Sequence, residues 1–102
     1  MDFSQAIVDQ LSTVPAGYVV SYGQLAAACG RPRAARLVAG ALNRRGQRAP
    51  CHRVIRADGS LPPESVFGAG VQRGLLISEG VGFLPDGRVD MARCRWPLNA
   101  QP

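Results

Sequence analysis

The chain has 102 residues and a mass of 10.8 kDa, which is the size of one small domain. Hydrophobic residues make up 46% of the sequence and charged residues 19%, a balance that favours a folded core over wholesale disorder. No apolar run approaches the ~20 residues that a membrane-spanning helix needs, and the first residues lack the features of a secretory signal. We therefore expect a cytoplasmic protein with no membrane partner.

The positive charge is concentrated in one stretch. All 12 basic residues are arginine, against 7 acidic residues, for a net charge of +5. Eight arginines lie between Arg31 and Arg56, where no Asp or Glu occurs, so this stretch carries +8; the other four arginines and the seven acids leave −3 elsewhere. Such a block is typical of a surface that binds a polyanion such as DNA, and the alternative is a solvated basic face without a partner.

The cysteines indicate the redox setting and one reactive candidate. Cys29, Cys51 and Cys94 form no Cys-x-x-Cys pair, and His52 is the one histidine of the sequence. This supports neither a disulfide framework nor a zinc site, so we expect no metal and no cofactor, in a reducing compartment. Cys29, in an alanine run, is expected to be a small buried residue.

The N-terminal half predicts three helices. Apolar residues recur at helical spacing on one face of the first: Phe3, Ile7, Leu11 and Val14. Ser21 with Gln24 forms a capping-box pattern that opens a second helix, which Gly30 ends. A third helix is expected from about Arg33 to Leu42, with Pro32 in its first turn. Two short helices joined by a glycine-containing turn, the second of them basic, predict a helix-turn-helix.

The surface of the third helix is made of small residues: Ala34, Ala35, Ala39, Gly40 and Ala41. Helices that read base edges in the major groove usually carry long polar side chains. Small residues with Arg33 and Arg36 instead favour close, sequence-independent contact with phosphates and a shallow groove. The alternative is a helix whose small residues allow tight packing on a neighbour.

The remaining sequence predicts short, mixed elements. Extended backbone is expected around Tyr18–Val20 and through Cys51 and His52, followed by a turn and an irregular loop. A helix is expected from Val71 to Glu79, and a hairpin from segments 81–84 and 88–91. Trp96 is expected to plug the core, and residues 97–102 to form a frayed tail. The predicted fold is mainly α with small β elements, a winged helix-turn-helix-like single domain over residues 1–102.

Cys51 beside His52 is the constellation that could carry covalent chemistry. Nearby cations and a histidine stabilise a thiolate, which is the nucleophilic form of cysteine. On extended backbone, adjacent side chains point in opposite directions, so direct contact between the two is not required. The run Pro50–Val54 resembles the signature of the O6-alkylguanine-DNA alkyltransferases, which take an alkyl group from damaged guanine onto that cysteine.

Other segments resemble the same family in the same order, over about residues 3 to 84: Ser21–Ala26, Ala34–Val38 and Leu75–Gly80. The resemblance implies entry from the minor groove, with Tyr22 rotating a phosphate and Arg36 filling the gap left by a flipped base. It also implies two sets of site residues. The DNA contacts would be Tyr22, Arg33, Ala35, Arg36, Ala39 and Arg53. The pocket for the flipped base would be lined by Tyr22, Cys51, Val54 and Ser65, with Cys51 and His52 as the catalytic pair.

Three departures from the repair enzymes are expected. Their relay glutamate, taken as two positions before the Leu-Leu pair, falls on Arg73 here. The loop over the flipped base lacks their Tyr-Ser-Gly-Gly run, and their N-terminal domain has no counterpart. These features resemble the alkyltransferase-like proteins, which bind alkylated guanine without repairing it and flag it for nucleotide excision repair, although those proteins usually carry Trp or Ala where this chain has Cys51.

Three hypotheses follow. The first is a monomeric, nucleoid-associated sensor that binds double-stranded DNA containing O6-alkylguanine and engages nucleotide excision repair proteins. The second is a slow single-turnover alkyltransferase that uses Cys51. The third, a helix-turn-helix transcription regulator, is disfavoured because no dimerisation segment is evident and the second helix of the motif lacks base-reading side chains.

Overall fold

The computed structural model describes residues 2–45, 49–62 and 70–98, with the backbone alone for 43–45. These residues form five α-helices and two short strands. The elements are α1 (Phe3–Leu11), β1 (Val20–Ser21), α2 (Tyr22–Ala28), α3 (Ala35–Arg45), β2 (Val54–Ile55), α4 (Val71–Ser78) and α5 (Met91–Cys94). A single 3-10 turn, Cys51–Arg53, leads directly into β2 and is called the Cys51 turn below. None of the described helices has the length and apolar character that a bilayer crossing demands.

The first two helices begin where the sequence predicts. The Asp2 carboxylate accepts the backbone N–H of Gln5 at 2.7 Å and caps α1. Ser21 and Gln24 form a complete capping box on α2: the serine hydroxyl accepts the Gln24 N–H at 3.0 Å, and the Gln24 side-chain oxygen accepts the Ser21 N–H at 2.9 Å. The Gln24 amide also donates to the Trp96 carbonyl at 2.9 Å, so the cap fastens the C-terminal segment to α2.

The helix-turn-helix is present, with a later start for α3 than predicted. Gly30, at φ +83°, ends α2 in the left-handed region that favours glycine. The Ala34 N–H then donates to the Arg31 carbonyl at 2.9 Å. This turn contains Pro32 and Arg33, so the predicted start at Arg33 was wrong, and the helix runs over Ala35–Arg45 instead of ending at Leu42. Both α1 and α2 pack on α3.

A two-stranded parallel ribbon separates two apolar clusters. Val20 lies opposite Val54, and Ser21 lies opposite Ile55. Because side chains alternate along a strand, the ribbon faces both clusters. The first cluster, under α1–α3, is formed by Ile7, Leu11, Val14, Val20, Leu25, Ala26, Val38, Ala41, Leu42 and Val54. The second, under α4 and α5, is formed by Val19, Ile55, Leu76, Val81, Val89 and Cys94.

The C-terminal segment differs from its prediction. The hairpin is reduced to one antiparallel bridge between Phe83 and Val89. Met91, expected in a strand, begins α5 because the Asp90 carbonyl accepts the N–H groups of residues 93 and 94 at 3.1 and 2.9 Å. Trp96 is half-buried and packs against the first cluster, as does Leu98, so the described start of the expected tail is packed; residues 99–102 lie outside the described residues.

The cysteine burial was also partly mispredicted. Cys29 is partly buried at the C-terminal cap of α2 and packs against the first cluster, although full burial was expected. Cys94 is 7% exposed in the second cluster, and its sulfur accepts the Gly82 N–H at 3.4 Å. The cap position explains Cys29, since the end of a helix leaves its side chain partly in solvent.

Replacing Ser21 with alanine tests the α2 cap. We expect Ser21→Ala to lower the free energy of unfolding by about 1 kcal/mol, because an orphan N–H of α2 loses its acceptor. The control is Ser78→Ala at an exposed helical serine, expected to change stability by less than about 0.5 kcal/mol. Denaturant unfolding followed by circular dichroism measures both, and equal losses would contradict the cap assignment.

Candidate functional site

Cys51 lies in a tight turn and is half-buried. Its N–H donates to the Ala49 carbonyl at 2.8 Å, and the Arg53 N–H donates to the Pro50 carbonyl at 2.9 Å. The prediction of extended backbone through Cys51 and His52 was therefore wrong, since β2 begins only at Val54. The side chains of the next two residues of the turn, His52 and Arg53, both bond the Glu79 carboxylate.

His52 pairs with a carboxylate of α4. Its Nε2 lies 2.8 Å from Oε2 of Glu79, the residue that caps the C-terminus of α4. An ionised carboxylate can only accept hydrogen bonds, so Nε2 of His52 carries a proton and donates it to Glu79. The histidine is thus held in one tautomer by an acid, as general acid–base chemistry requires.

Arg53 holds the same carboxylate from its other side. Its Nε donates to Glu79 Oε1 at 2.9 Å and one terminal nitrogen donates to Oε2 at 2.8 Å, a bidentate pair. The second terminal nitrogen donates to the Val14 carbonyl at 2.8 Å. The Arg53 side chain is 16% exposed. Each of the three guanidinium nitrogens of Arg53 thus makes a hydrogen bond within the protein, and the role of Arg53 as a DNA contact stays a prediction.

The hydrogen bonds from Arg53, joined by those from His52, lower the pKa of Glu79 to about 2, although burial acts in the opposite direction. Glu79 is therefore ionised throughout the physiological range. The three side chains of Glu79, Arg53 and His52 form one charged network behind Cys51. Glu79 is therefore the acid beside the histidine, which the sequence had been expected to lack because position 73 is an arginine.

Arg73 does not occupy the position of that acid. Its guanidinium lies over the ring of Phe83, 4.7 Å from the ring centroid. Residues 73 and 79 are separated by six positions, which places them on different faces of a helix with 3.6 residues per turn. The expectation that Arg73 replaces the acid beside His52 was wrong: the error was to count back from the leucine pair, whereas the acid follows it.

Tyr22, the first residue of α2, lies near the thiol. Burial raises the pKa of Tyr22, the charge of Arg56 lowers it, and the nearby Cys51 raises it, so both groups are neighbours of the phenol. Burial also raises the pKa of Cys51, partly offset by a backbone hydrogen bond. The sulfur is therefore mainly a thiol at neutral pH.

The remaining predicted DNA contacts lie together on α3 and the turn before it. Arg33 and Arg36 are exposed, and Ala35 and Ala39 are partly exposed. An open groove of about 680 Å³ is lined by the segment from Arg31 to Leu37. Arg31 itself stacks on Phe3, 5.1 Å from the ring centroid. The surface formed by Arg31–Arg36 is called the arginine face below.

One predicted pocket residue, Val54, is placed differently from its prediction. The Val54 side chain is fully buried in the first apolar cluster, so it does not line an open pocket; this correction follows from the strand alternation that turns Val54 towards α1–α3. Ser65 lies outside the described residues. Within the described ranges, no group of three His, Cys, Asp or Glu residues could hold a metal ion.

Two site residues were missed by the sequence analysis. Glu79 was seen only as part of the Leu75–Gly80 resemblance. Gln72 is 5% exposed, and its side-chain nitrogen donates to the carbonyls of His52 and Val54 at 2.8 and 3.1 Å. Their spacing of seven residues, two helical turns, was the available signal, since it places both on one face of α4.

Comparison with known proteins identifies the family. Residues 2–81 match the family model described as "6-O-methylguanine DNA methyltransferase, DNA binding domain". The chain therefore belongs to this family. It is 39% identical over 98 residues to a DNA base-flipping protein of Escherichia coli (strain K12), a match covering 92% of this chain and 74% of that protein.

Two further matches are a solved structure that contains damaged DNA and a methyltransferase. The fold is similar to the crystal structure of S. pombe Atl1 in complex with damaged DNA containing O6-carboxymethylguanine, with a TM-score of 0.79, 26% identity, and coverage of 93% of this chain and 94% of that chain. The methylated-DNA–protein-cysteine methyltransferase of Rattus norvegicus is 46% identical over 79 residues, covering 76% of this chain and 38% of that protein. The predicted fold class, a small winged helix-turn-helix-like domain, is confirmed.

Acid should expose the contribution of the Glu79 network to stability. Because its folded-state pKa is depressed, the stabilisation is present above the unfolded value near 4.5 and is lost as the pH falls towards about 2. We expect Glu79→Gln to remove on the order of 2 kcal/mol at neutral pH, and the difference from the wild type to shrink below about pH 4. Urea unfolding across this range measures it.

The control for the acid experiment is Asp86→Asn. Asp86 also pairs with an arginine, Arg88, at 2.8 Å, but this pair is on the surface, with side chains about half exposed. Its loss should change stability little at any pH, because exposed pairs are worth little. A Glu79→Gln protein whose deficit does not change with pH would contradict the assignment of an ionised Glu79.

Proposed function

We propose that this protein binds double-stranded DNA through α2 and α3, from the minor groove, and holds a flipped O6-alkylguanine beside Cys51. The observation that carries the proposal is that the surface suited to DNA and the reactive cysteine lie next to each other. The arginine face and Tyr22 belong to the helix-turn-helix, and the half-buried Cys51 lies next to Tyr22. A base leaving the duplex at Tyr22 would therefore meet the Cys51 turn.

The charge distribution supports the DNA part of the proposal. Arg33 and Arg36 are exposed beside the partly exposed Ala35 and Ala39, so the backbone of α3 can approach a phosphate strand closely. A relative whose structure contains damaged DNA covers nearly the whole chain.

A transcription regulator is the less favoured alternative. Footprinting distinguishes a regulator from a lesion binder, because a regulator protects one sequence whereas a lesion binder prefers alkylguanine in any sequence.

Recognition without repair is the first form of the proposal. Burial raises the pKa of Cys51, which leaves little thiolate at neutral pH. A complex that keeps the lesion in place would recruit nucleotide excision repair proteins to it. As part of this proposal, the protein acts as a monomer on DNA in the cytoplasm. Loss of the protein should then sensitise cells to an alkylating agent only while nucleotide excision repair is intact.

Alkyl transfer to Cys51 is the second candidate, and the His52–Glu79 pair favours it. In this step the sulfur forms a bond to the alkyl carbon and the bond from that carbon to O6 breaks. The bonding electrons remain on the guanine, which takes up a proton, and His52 accepts the thiol proton. The thioether product is stable, so each molecule would react once.

Arg36 should act as the group that fills the space of the extruded base. Flipping costs a few kcal/mol, and a guanidinium in the vacancy offsets part of this. We expect Arg36→Ala to weaken binding to an O6-methylguanine duplex about tenfold, and binding to the undamaged duplex much less. The control, Arg33→Ala, should weaken both about equally and lower the salt slope by roughly 0.9 per phosphate contact. Equal effects of both variants would make Arg36 an ordinary phosphate contact.

Intact-protein mass spectrometry decides between recognition and transfer. After incubation with an O6-methylguanine duplex, recognition predicts unmodified protein, whereas transfer predicts a gain of one methylene unit that maps to Cys51. If a gain is seen, Glu79→Gln should slow it by roughly 10²-fold or more, because His52 loses its orienting acid. Complete transfer within minutes by the wild type would contradict the recognition form of the proposal.

A further inference from the structure

The Gln72 side chain is a buried polar group directed at the Cys51 turn. It lies on α4, is 5% exposed, and both of its hydrogen bonds run to backbone carbonyls of one short segment. The Nε2 to oxygen distances are 2.8 Å to His52 and 3.1 Å to Val54. A buried amide that satisfies two carbonyls of another segment fixes the distance between the two elements.

The two carbonyls lie on either side of the junction between the Cys51 turn and β2. His52 is the middle residue of the turn, and Val54 is the first residue of β2, which pairs with β1. The single Gln72 amide donates to both carbonyls, so one side chain supplies hydrogen bonds that the backbone of neither element provides at this junction.

Helix α4 holds the Cys51 turn at two levels. Gln72 bonds its main chain, while Glu79, two helical turns later, bonds the side chains of His52 and Arg53. Both lie on the face of α4 that is buried with Leu76. Cys51 is the first residue of this turn, and its burial depends on where the two following residues are held.

We propose that Gln72 is a positioning residue that sets the depth of the Cys51 thiol and thereby the fit of the flipped base. This inference rests on the proposed function for its biological meaning, but its physical content concerns the turn alone. It gives Gln72 no contact with the lesion. The amide acts on the thiol through the backbone of His52 and Val54.

The three cysteines of the chain allow a direct test with iodoacetamide. Cys51 reports the turn, and Cys94, 7% exposed in the second cluster, reports global unfolding. We expect Gln72→Met, which keeps the length and removes the donors, to raise the alkylation rate of Cys51 about fivefold while Cys94 stays protected. Peptide mapping by mass spectrometry measures each site separately.

Two further variants make the result specific. Gln72→Lys restores hydrogen-bond donors at the same position and should return the Cys51 rate to within about twofold of the wild type. Gln10→Met, the same change at a partly buried glutamine of α1, should leave the rate unchanged. In the same samples, Gln72→Met should reduce the preference for O6-methylguanine over guanine duplex about fivefold, with the affinity for undamaged DNA kept.

The outcomes separate this inference from the proposed function. An unchanged Cys51 rate in Gln72→Met overturns the positioning role. If Cys94 becomes reactive in parallel, Gln72→Met has unfolded the protein, and Gln72→Asn is tested instead, because its shorter amide cannot reach both carbonyls. A higher alkylation rate of Cys51 in Gln72→Asn, with Cys94 still protected, supports the positioning role. An unchanged alkylation rate of Cys51 overturns it. Wild-type protein without any alkylguanine preference contradicts the proposed function, and the cysteine rates still decide the role of Gln72.

Discussion

The Glu79 carboxylate is the point at which three separate parts of the chain are joined. It accepts hydrogen bonds from His52 and from two nitrogens of Arg53, and Arg53 in turn donates to the Val14 carbonyl beyond the end of α1. Removing either Arg53 or Glu79 alone would leave a partly buried charge without its partner, which costs far more than the net contribution of the ion pair. The position of the Cys51 turn relative to both α1 and α4 depends on this contact.

The parallel ribbon transmits that constraint to the helix-turn-helix. β2 follows the Cys51 turn without a break, and β1 runs directly into α2, so Val20 opposite Val54 sets the distance between Cys51 and Tyr22. A ribbon with only two residues per strand is held in place because both of its faces are buried in apolar clusters. The small sheet therefore determines how the thiol and the arginine face are placed relative to each other.

Local signals in the sequence predicted the helices well and the site less well. The Ser21–Gln24 capping box and the apolar spacing of α1 are interactions within one turn of helix, which sequence spacing encodes directly. The pairing of His52 with Glu79 spans 27 residues and depends on how α4 docks, so no local pattern contains it. The same holds for Arg53, whose membership in a basic block indicated DNA while its tertiary neighbours are an acid and a carbonyl.

The reactivity of Cys51 depends on which groups the charge of Glu79 interacts with. Because two nitrogens of Arg53 already neutralise this carboxylate, its main effect on His52 is to fix the tautomer and the ring orientation. Burial meanwhile raises the pKa of the thiol. The sulfur is therefore mainly the protonated thiol, whereas the species that attacks an alkyl group is the thiolate anion. Under the proposed function, a sulfur that is mainly protonated favours recognition of an alkylated base over rapid transfer. The position of the thiol then depends on how α4 holds the Cys51 turn, through Gln72 and Glu79.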